Sequence, residues 1–304
     1  MDSVFARIAQ DTSKFELGDE EIWRELYEPF HHKEVPNVAV IRDERYGPAE
    51  RNLLDVFSPL DDTTVGKPVL LFVHGGGFFS GDKGWSEKCW ANIGYFFAQQ
   101  GIVVVVANHQ LNSSAQYPAG ADDIQLVREW IYESISHKKY GQGSPENVVL
   151  MGHSSGGAHI AMNLYAEGKS NTQRNVFPPV AGVIYLSVPF WYDRERPIRQ
   201  KILRRYYGSD AEDVWGPRSA LGLFRQLPED SPLLKEACDG AIDFFNAYRA
   251  KSTPAGTLPI FHVLDKHNHL SNVLSIGTED SVQAEKLLEF IRSCTHSRAL
   301  NSKR

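Results

Sequence analysis

The residues Gly152-His153-Ser154-Ser155-Gly156-Gly157 carry the sharpest chemical signal in the chain. They follow a β-rich run and open a helical stretch, and Ser154 has glycines two positions to either side. A serine placed this way sits on a tight strand-to-helix turn that pushes its hydroxyl into the open. The glycines let neighbouring backbones pass without Cβ clashes, and the helix N-terminus behind the serine favours the negative charge that develops during attack on a carbonyl. The chemistry is acyl transfer with Ser154 as nucleophile. Ser155 stands one position off the glycine symmetry, so it contributes its amide rather than its hydroxyl.

Acyl transfer also needs preorganised N–H donors around the oxyanion. His74-Gly75-Gly76-Gly77 ends a buried apolar run. Three consecutive glycines there destabilise the chain unless the backbone itself is wanted. Gly75, Gly76 and Gly77, together with the Ser155 amide, are the predicted oxyanion and substrate-binding groups. His74 is read as the residue that orients the loop.

A serine hydroxyl is a poor nucleophile at neutral pH, so an imidazole must take its proton. Of the eleven histidines, His267 and His269 qualify by position, in the loop that follows the last apolar run. His262 lies inside that run. His31, His32, His109, His137, His153 and His296 read as ordinary polar residues, with His153 and His109 able to line the site.

The elements that must position these groups are read from hydrophobic patterning. Apolar runs at 68–77, 101–108, 147–154, 181–188 and 258–265 are short, rich in Val, Ile, Leu or Phe, and end in Gly, Asn, Ser or Asp. They read as buried parallel strands, apolar on both faces because helices cover both sides. Helices are predicted over 82–100, 121–140, 155–166 and 281–293; the second places Ile124, Val127, Trp130, Ile131 and Ile135 on one face. The segments 1–45 and about 190–230 fit this alternation poorly and carry Trp191, Tyr192, Tyr206, Tyr207 and Trp215 among charges. They read as a cap over the C-terminal edge of the sheet, where open α/β sheets hold ligands. The expected architecture is one domain over 1–304, a mostly parallel central sheet flanked by helices with a small cap.

HGGGF at 74–78, QYPAGADDIQLVREWI at 116–131 and GHSSGG at 152–157 resemble the carboxylesterases of the hormone-sensitive-lipase type. They resemble still more the kynurenine formamidase (arylformamidase) and small feruloyl-esterase-like branch. The resemblance spans roughly residues 45–295. It implies the α/β-hydrolase fold with an eight-stranded sheet, a Ser-acid-His triad, no metal and no organic cofactor. The family pattern places the catalytic imidazole before an apolar residue, which matches His269-Leu270 and makes His269 the expected base. The chain also departs from the pattern. His109 and Gln110 stand where relatives have a Tyr-Arg pair, and Gly77 stands where formamidases carry an aromatic residue.

The triad acid is the least legible member. In SPLLKEACDGAIDFFNAYRAKS (231–252) one reading is a strand from Pro232 to Cys238 ending in Asp239, which is then the expected acid. The other is a single helix capped by Ser231, with Leu234, Ala237, Ala241, Phe245 and Tyr248 as one stripe. That helix would leave Asp243, Glu236 or no acid at all. Asp265 lies too close to His269 to be favoured.

Composition excludes much else. The chain of 304 residues has a net charge of -6 without basic clusters, which gives no reason to expect nucleic acid or an anionic membrane. Cys89, Cys238 and Cys294 are too few and too scattered for a disulfide framework or zinc. No apolar stretch has the length of a membrane helix, and residues 1–21 carry acidic residues without a signal-like apolar core. The expectation is a cytoplasmic enzyme cleaving a small acyl ester, amide or formamide through an acyl-serine. A catalytically weakened relative acting as binder or cyclase is the rival reading.

Overall fold

Four of the five apolar runs supply strands of one sheet. In the computed structural model, residues 2–11, 20–170, 176–195, 197–228, 237–238, 262–264 and 267–301 are described. Among them the sheet has seven strands: β1 (Val38–Arg45), β2 (Leu53–Pro59), β3 (Lys67–Val73), β4 (Val103–Ala107), β5 (Gly143–His153), β6 (Gly182–Leu186) and β7 (Ala237–Cys238), in the order β1-β2-β4-β3-β5-β6-β7. From β4 to β7 all pairings are parallel; β1 and β2 are antiparallel additions at one edge. Successive residues of β3 feed opposite cores, Val69, Leu71 and Val73 on one side and Leu70 and Phe72 on the other. That period of two explains why this strand is apolar throughout: both faces are covered.

The faces are covered by α3 (Ala91–Gln99), α4 (Ala119–Ser134), α5 (Ser155–Ser170) and the C-terminal helix Val282–Asn301. The helix expected from 82 onward starts only at Ala91. Polar side chains hold the preceding stretch in turns: Asp82 Oδ1 accepts from the Gly84 amide at 3.0 Å, and Ser86 Oγ accepts from the Lys88 and Cys89 amides at 3.2 and 3.1 Å. Such local bonds compete directly with helical ones.

Two cap expectations change in part. Val38–Arg45 is the edge strand β1 rather than cap. Before it, α1 (Asp2–Asp11) and α2 (Glu20–Tyr27) pack through Val4, Trp23 and Tyr27. Residues 190–228 contain α6 (Pro197–Tyr207), α7 (Glu212–Trp215) and α8 (Ala220–Arg225). Tyr206 stacks on Phe78, just beyond β3, with ring centroids 4.5 Å apart. This segment therefore covers the C-terminal end of the sheet.

β7 bears on the ambiguous stretch. Ala237 and Cys238 pair in parallel with Val183 and Ile184, so a continuous helix through them is excluded. Asp239 is the next residue, and Asp239, Asp243, Glu236 and Asp265 lie outside the described residues. Of the run 258–265, residues 262–264 are described and are not in a strand.

Candidate active site

Strand register builds the site. From β3 the chain crosses to β4 on one side, then passes back to β5 on the other, so a crevice opens at the C-terminal ends of these strands. Val73 lies opposite Gly152 in the β3–β5 ladder. The glycine loop after Val73 and the serine turn after Gly152 must therefore emerge side by side. They do so closely enough that a Cβ on Gly75 would stand 2.9 Å from Ser154 Cβ.

Ser154 occupies the left-handed region at φ 50°, a strained conformation for a non-glycine residue that costs of order 1–3 kcal/mol. Its amide donates to Leu186 O at 2.8 Å, and its carbonyl accepts from Ala158 at 3.2 Å, tying the turn to β6 and to the start of α5. Gly156 and Gly152 permit the turn, because a Cβ on Gly156 would strike the Val73 and His74 carbonyls and one on Gly152 would strike Gly157. Gly76 and Gly77 have φ of 134° and 61°. Among the described residues, the amides of Gly76, Gly77 and Ser155 donate to no protein acceptor.

His269 Nε2 lies 3.0 Å from Ser154 Oγ. His267 faces elsewhere, with Nε2 3.1 Å from Asp280 Oδ2 and Nδ1 3.2 Å from Ser271 Oγ. The turn that carries them is held by its own side chains. Asn268 Oδ1 accepts from the Leu270 and Ser271 amides at 3.0 and 2.8 Å, and Ser271 Oγ accepts from the Asn268 amide at 2.7 Å.

The sequence reading missed how much His153 does. Its Nε2–H donates to the His269 carbonyl at 2.7 Å, fastening the histidine loop to the serine turn from below. The signal was present, since His153 adjoins the nucleophile, but its partner is more than a hundred residues away. His74 Nδ1 lies 2.7 Å from the Gly75 carbonyl and its Nε2 3.1 Å from Asn108 Oδ1; the single N–H of the neutral ring donates to the nearer Gly75 carbonyl. His109 stacks on His74 with centroids 4.5 Å apart. Gln110 donates through its amide and side chain to the buried Asp123 at 2.6 and 3.1 Å, and Asn52 adds a third bond at 2.8 Å.

Burial keeps these imidazoles neutral. It pushes His74 and His153 down to about 3, aided by the nearby rings of His109 and His269 respectively, and lowers His109 and His159 in the same direction. His269 is lowered to about 4, by burial first and then by the Arg199 charge. A neutral imidazole facing a hydroxyl is the state a general base requires.

Ser154 and His269 open into a cavity of about 600 Å³ whose wall includes Gly76, Phe79, Trp85 and Arg199, a size suited to small molecules. Among the described residues no group of three or more His, Cys, Asp or Glu could hold a metal ion. No helix among them is long and apolar enough to cross a membrane.

Residues 54–180 match the BD-FAE family model. The "Probable isoprenylcysteine alpha-carbonyl methylesterase ICMEL1" of Oryza sativa subsp. japonica is 35% identical over 122 residues, 40% of this chain and 27% of that protein. Esterase B1 of Culex pipiens is 29% identical over 191 residues, 58% of this chain and 33% of that protein. The chain thus spans about a third or less of the length of these relatives. Among solved structures, inhibited Esterase B from Lactobacillus rhamnosis superposes with a TM-score of 0.70 at 14% identity, covering 99% of this chain and 100% of that one. EstE5 soaked with p-nitrophenyl butyrate gives 0.63 at 15% identity over 96% of this chain and 98% of that one. The chain has the α/β-hydrolase fold of these esterases, carrying a BD-FAE-like region through its sheet and serine turn.

Proposed function

We propose that the protein is a serine hydrolase that cleaves a small acyl ester or amide through an acyl-Ser154 intermediate. The observation that carries this reading is the 3.0 Å approach of His269 Nε2 to Ser154 Oγ, beside amides that have no acceptor among the described residues. Ser154 Oγ attacks the substrate carbonyl carbon while His269 takes the hydroxyl proton. The oxyanion that forms is held by the amides of Gly76, Gly77 and Ser155, each worth roughly 3–4 kcal/mol to the transition state. Collapse breaks the bond to the alcohol or amine, which leaves with the proton from His269. Water then attacks the acyl-serine with His269 as base again, releasing the acid and restoring Ser154. Asp239, directly after β7, is the proposed acid that orients His269.

Residues 190–228 serve as a cap within a single domain, and a small acyl compound is the partner that fits the cavity. The named methylesterase and esterase relatives favour an ester, and a formamide obeys the same chemistry. We assign the protein to the cytoplasm, which suits the free thiol of Cys89.

Labelling with a fluorophosphonate and hydrolysis of p-nitrophenyl butyrate test the proposal. Ser154→Ala should abolish labelling and lower turnover by roughly 10⁴ or more, while Ser155→Ala keeps labelling. Wild-type protein that neither labels nor turns over any ester would make this a binding or cyclising relative instead.

A further inference from the structure

The cavity wall carries a cation for which the chemistry of acyl transfer has no use. Arg199 stands in the first turn of α6, half-buried, and lines the same cavity as Ser154 and His269. Two arginines of this segment are answered by carboxylates: Arg194 by Glu212 at 3.5 Å and Arg204 by Asp210 at 2.8 Å. Arg199 has no hydrogen-bond or ion-pair partner among the described residues.

The carboxylates of the wall do not neutralise it. Glu21 is taken by Arg24 at 2.7 Å and by the Trp85 indole N–H at 2.8 Å. Asp82 is taken by the Gly84 amide, Asn108 at 2.9 Å and Arg51 at 3.3 Å. Glu20, the third, has its interaction with a residue other than Arg199. The charge nonetheless reaches the reacting centre, since Arg199 is the charged group that, after burial, holds the His269 imidazole down. Trp85 and Trp90, with ring centroids 5.2 Å apart, line the same cavity. The cavity thus combines an aromatic surface, a nucleophile and an unanswered guanidinium.

We infer that Arg199 is a specificity-determining residue that recognises a carboxylate, and that the preferred substrates are esters or amides bearing a carboxylate on the acyl or the leaving side. The assignment rests on the serine-hydrolase reading above. A guanidinium offers a planar fork of donors that matches a carboxylate with two parallel bonds. Inside a partly enclosed cavity that pairing is screened less than on an open surface. A neutral ester of the same shape would leave the guanidinium where it is, still facing solvent and gaining nothing.

Two pairs of esters test this. Mono-p-nitrophenyl adipate is compared with its neutral methyl ester, and p-carboxyphenyl acetate with its neutral methyl ester, in wild type, Arg199→Gln and Arg199→Lys. Within at least one pair, the charged-to-neutral ratio of kcat/KM should be roughly tenfold to a hundredfold higher in wild type than in Arg199→Gln, the range of a charge-assisted hydrogen bond. The change should fall mainly on KM, shrink with added salt, and be partly restored by Arg199→Lys. Comparing ratios cancels intrinsic reactivity and any general loss of folding. Ratios equal in wild type and Arg199→Gln for both pairs, with the esters still hydrolysed and Ser154 still labelled, would overturn the inference and leave the hydrolase reading standing. No turnover and no labelling in wild type would remove both.

Discussion

Acid should destabilise this protein before its carboxylates titrate, because its site is floored with buried neutral histidines. His74 and His153 are 0% and 2% exposed, with pKa lowered to about 3 by burial. The unfolded chain holds them at about 6.5. Because the folded values lie below the unfolded one, the unfolded chain binds protons that the native state refuses. Stability from this source is complete above about pH 6.5 and is lost progressively as pH falls toward about 3. At pH 5 the linkage is about 2 kcal/mol per histidine, so these two alone remove about 4 kcal/mol. His109 and His159 are lowered in the same direction and add to the loss. Against a total stability of about 5–15 kcal/mol, that is a large fraction. Urea unfolding between about pH 7 and pH 5 measures it, and the slope should steepen below pH 6.5. His153→Gln keeps a side-chain N–H for the His269 carbonyl but cannot titrate. Its slope should be smaller by one histidine, about 1.4 kcal/mol per pH unit. A stability flat from pH 7 to pH 5, or a His153→Gln slope equal to that of wild type, would refute the reasoning.

Three further outcomes are expected. Asp239→Asn should lower turnover by about 10⁴ with little change in KM, because the imidazole loses its orienting carboxylate, whereas Asp243→Asn should stay near wild type; steady-state kinetics of the two variants decides the acid. Asp123→Ala should cost about 3 kcal/mol or more in chemical denaturation, since three donors from Gln110 and Asn52 lose their acceptor in the interior. Prolonged chelation should leave ester hydrolysis unchanged, as expected of a mechanism run by Ser154, His269, its orienting acid and backbone amides without a metal; activity lost to chelator and restored by zinc would contradict it.

The local parts of the site were written in the sequence. The glycines around Ser154 and the HGGG run are legible because steric limits on φ and close backbone approach act over a few residues. The central strands were legible because a strand covered on both faces must be apolar throughout. Tertiary structure decided the rest, each time through a partner distant in sequence. The edge strand Val38–Arg45 is half-exposed and charged, so only its pairing with β2 makes it a strand. Ala237-Cys238 fits a helical stripe locally, and the open edge of β6 draws it into the sheet instead. His267 and His269 were equivalent by position until Asp280 and the His153 bond to the His269 carbonyl oriented their loop. Arg199 is one of several cations of α6, and its place beside Ser154 depends on how α6 packs over the sheet. Sequence sets which chemistry the chain can perform, through bond angles and short-range sterics. Which side chains meet to perform it depends on long-range packing, and no local pattern encodes that.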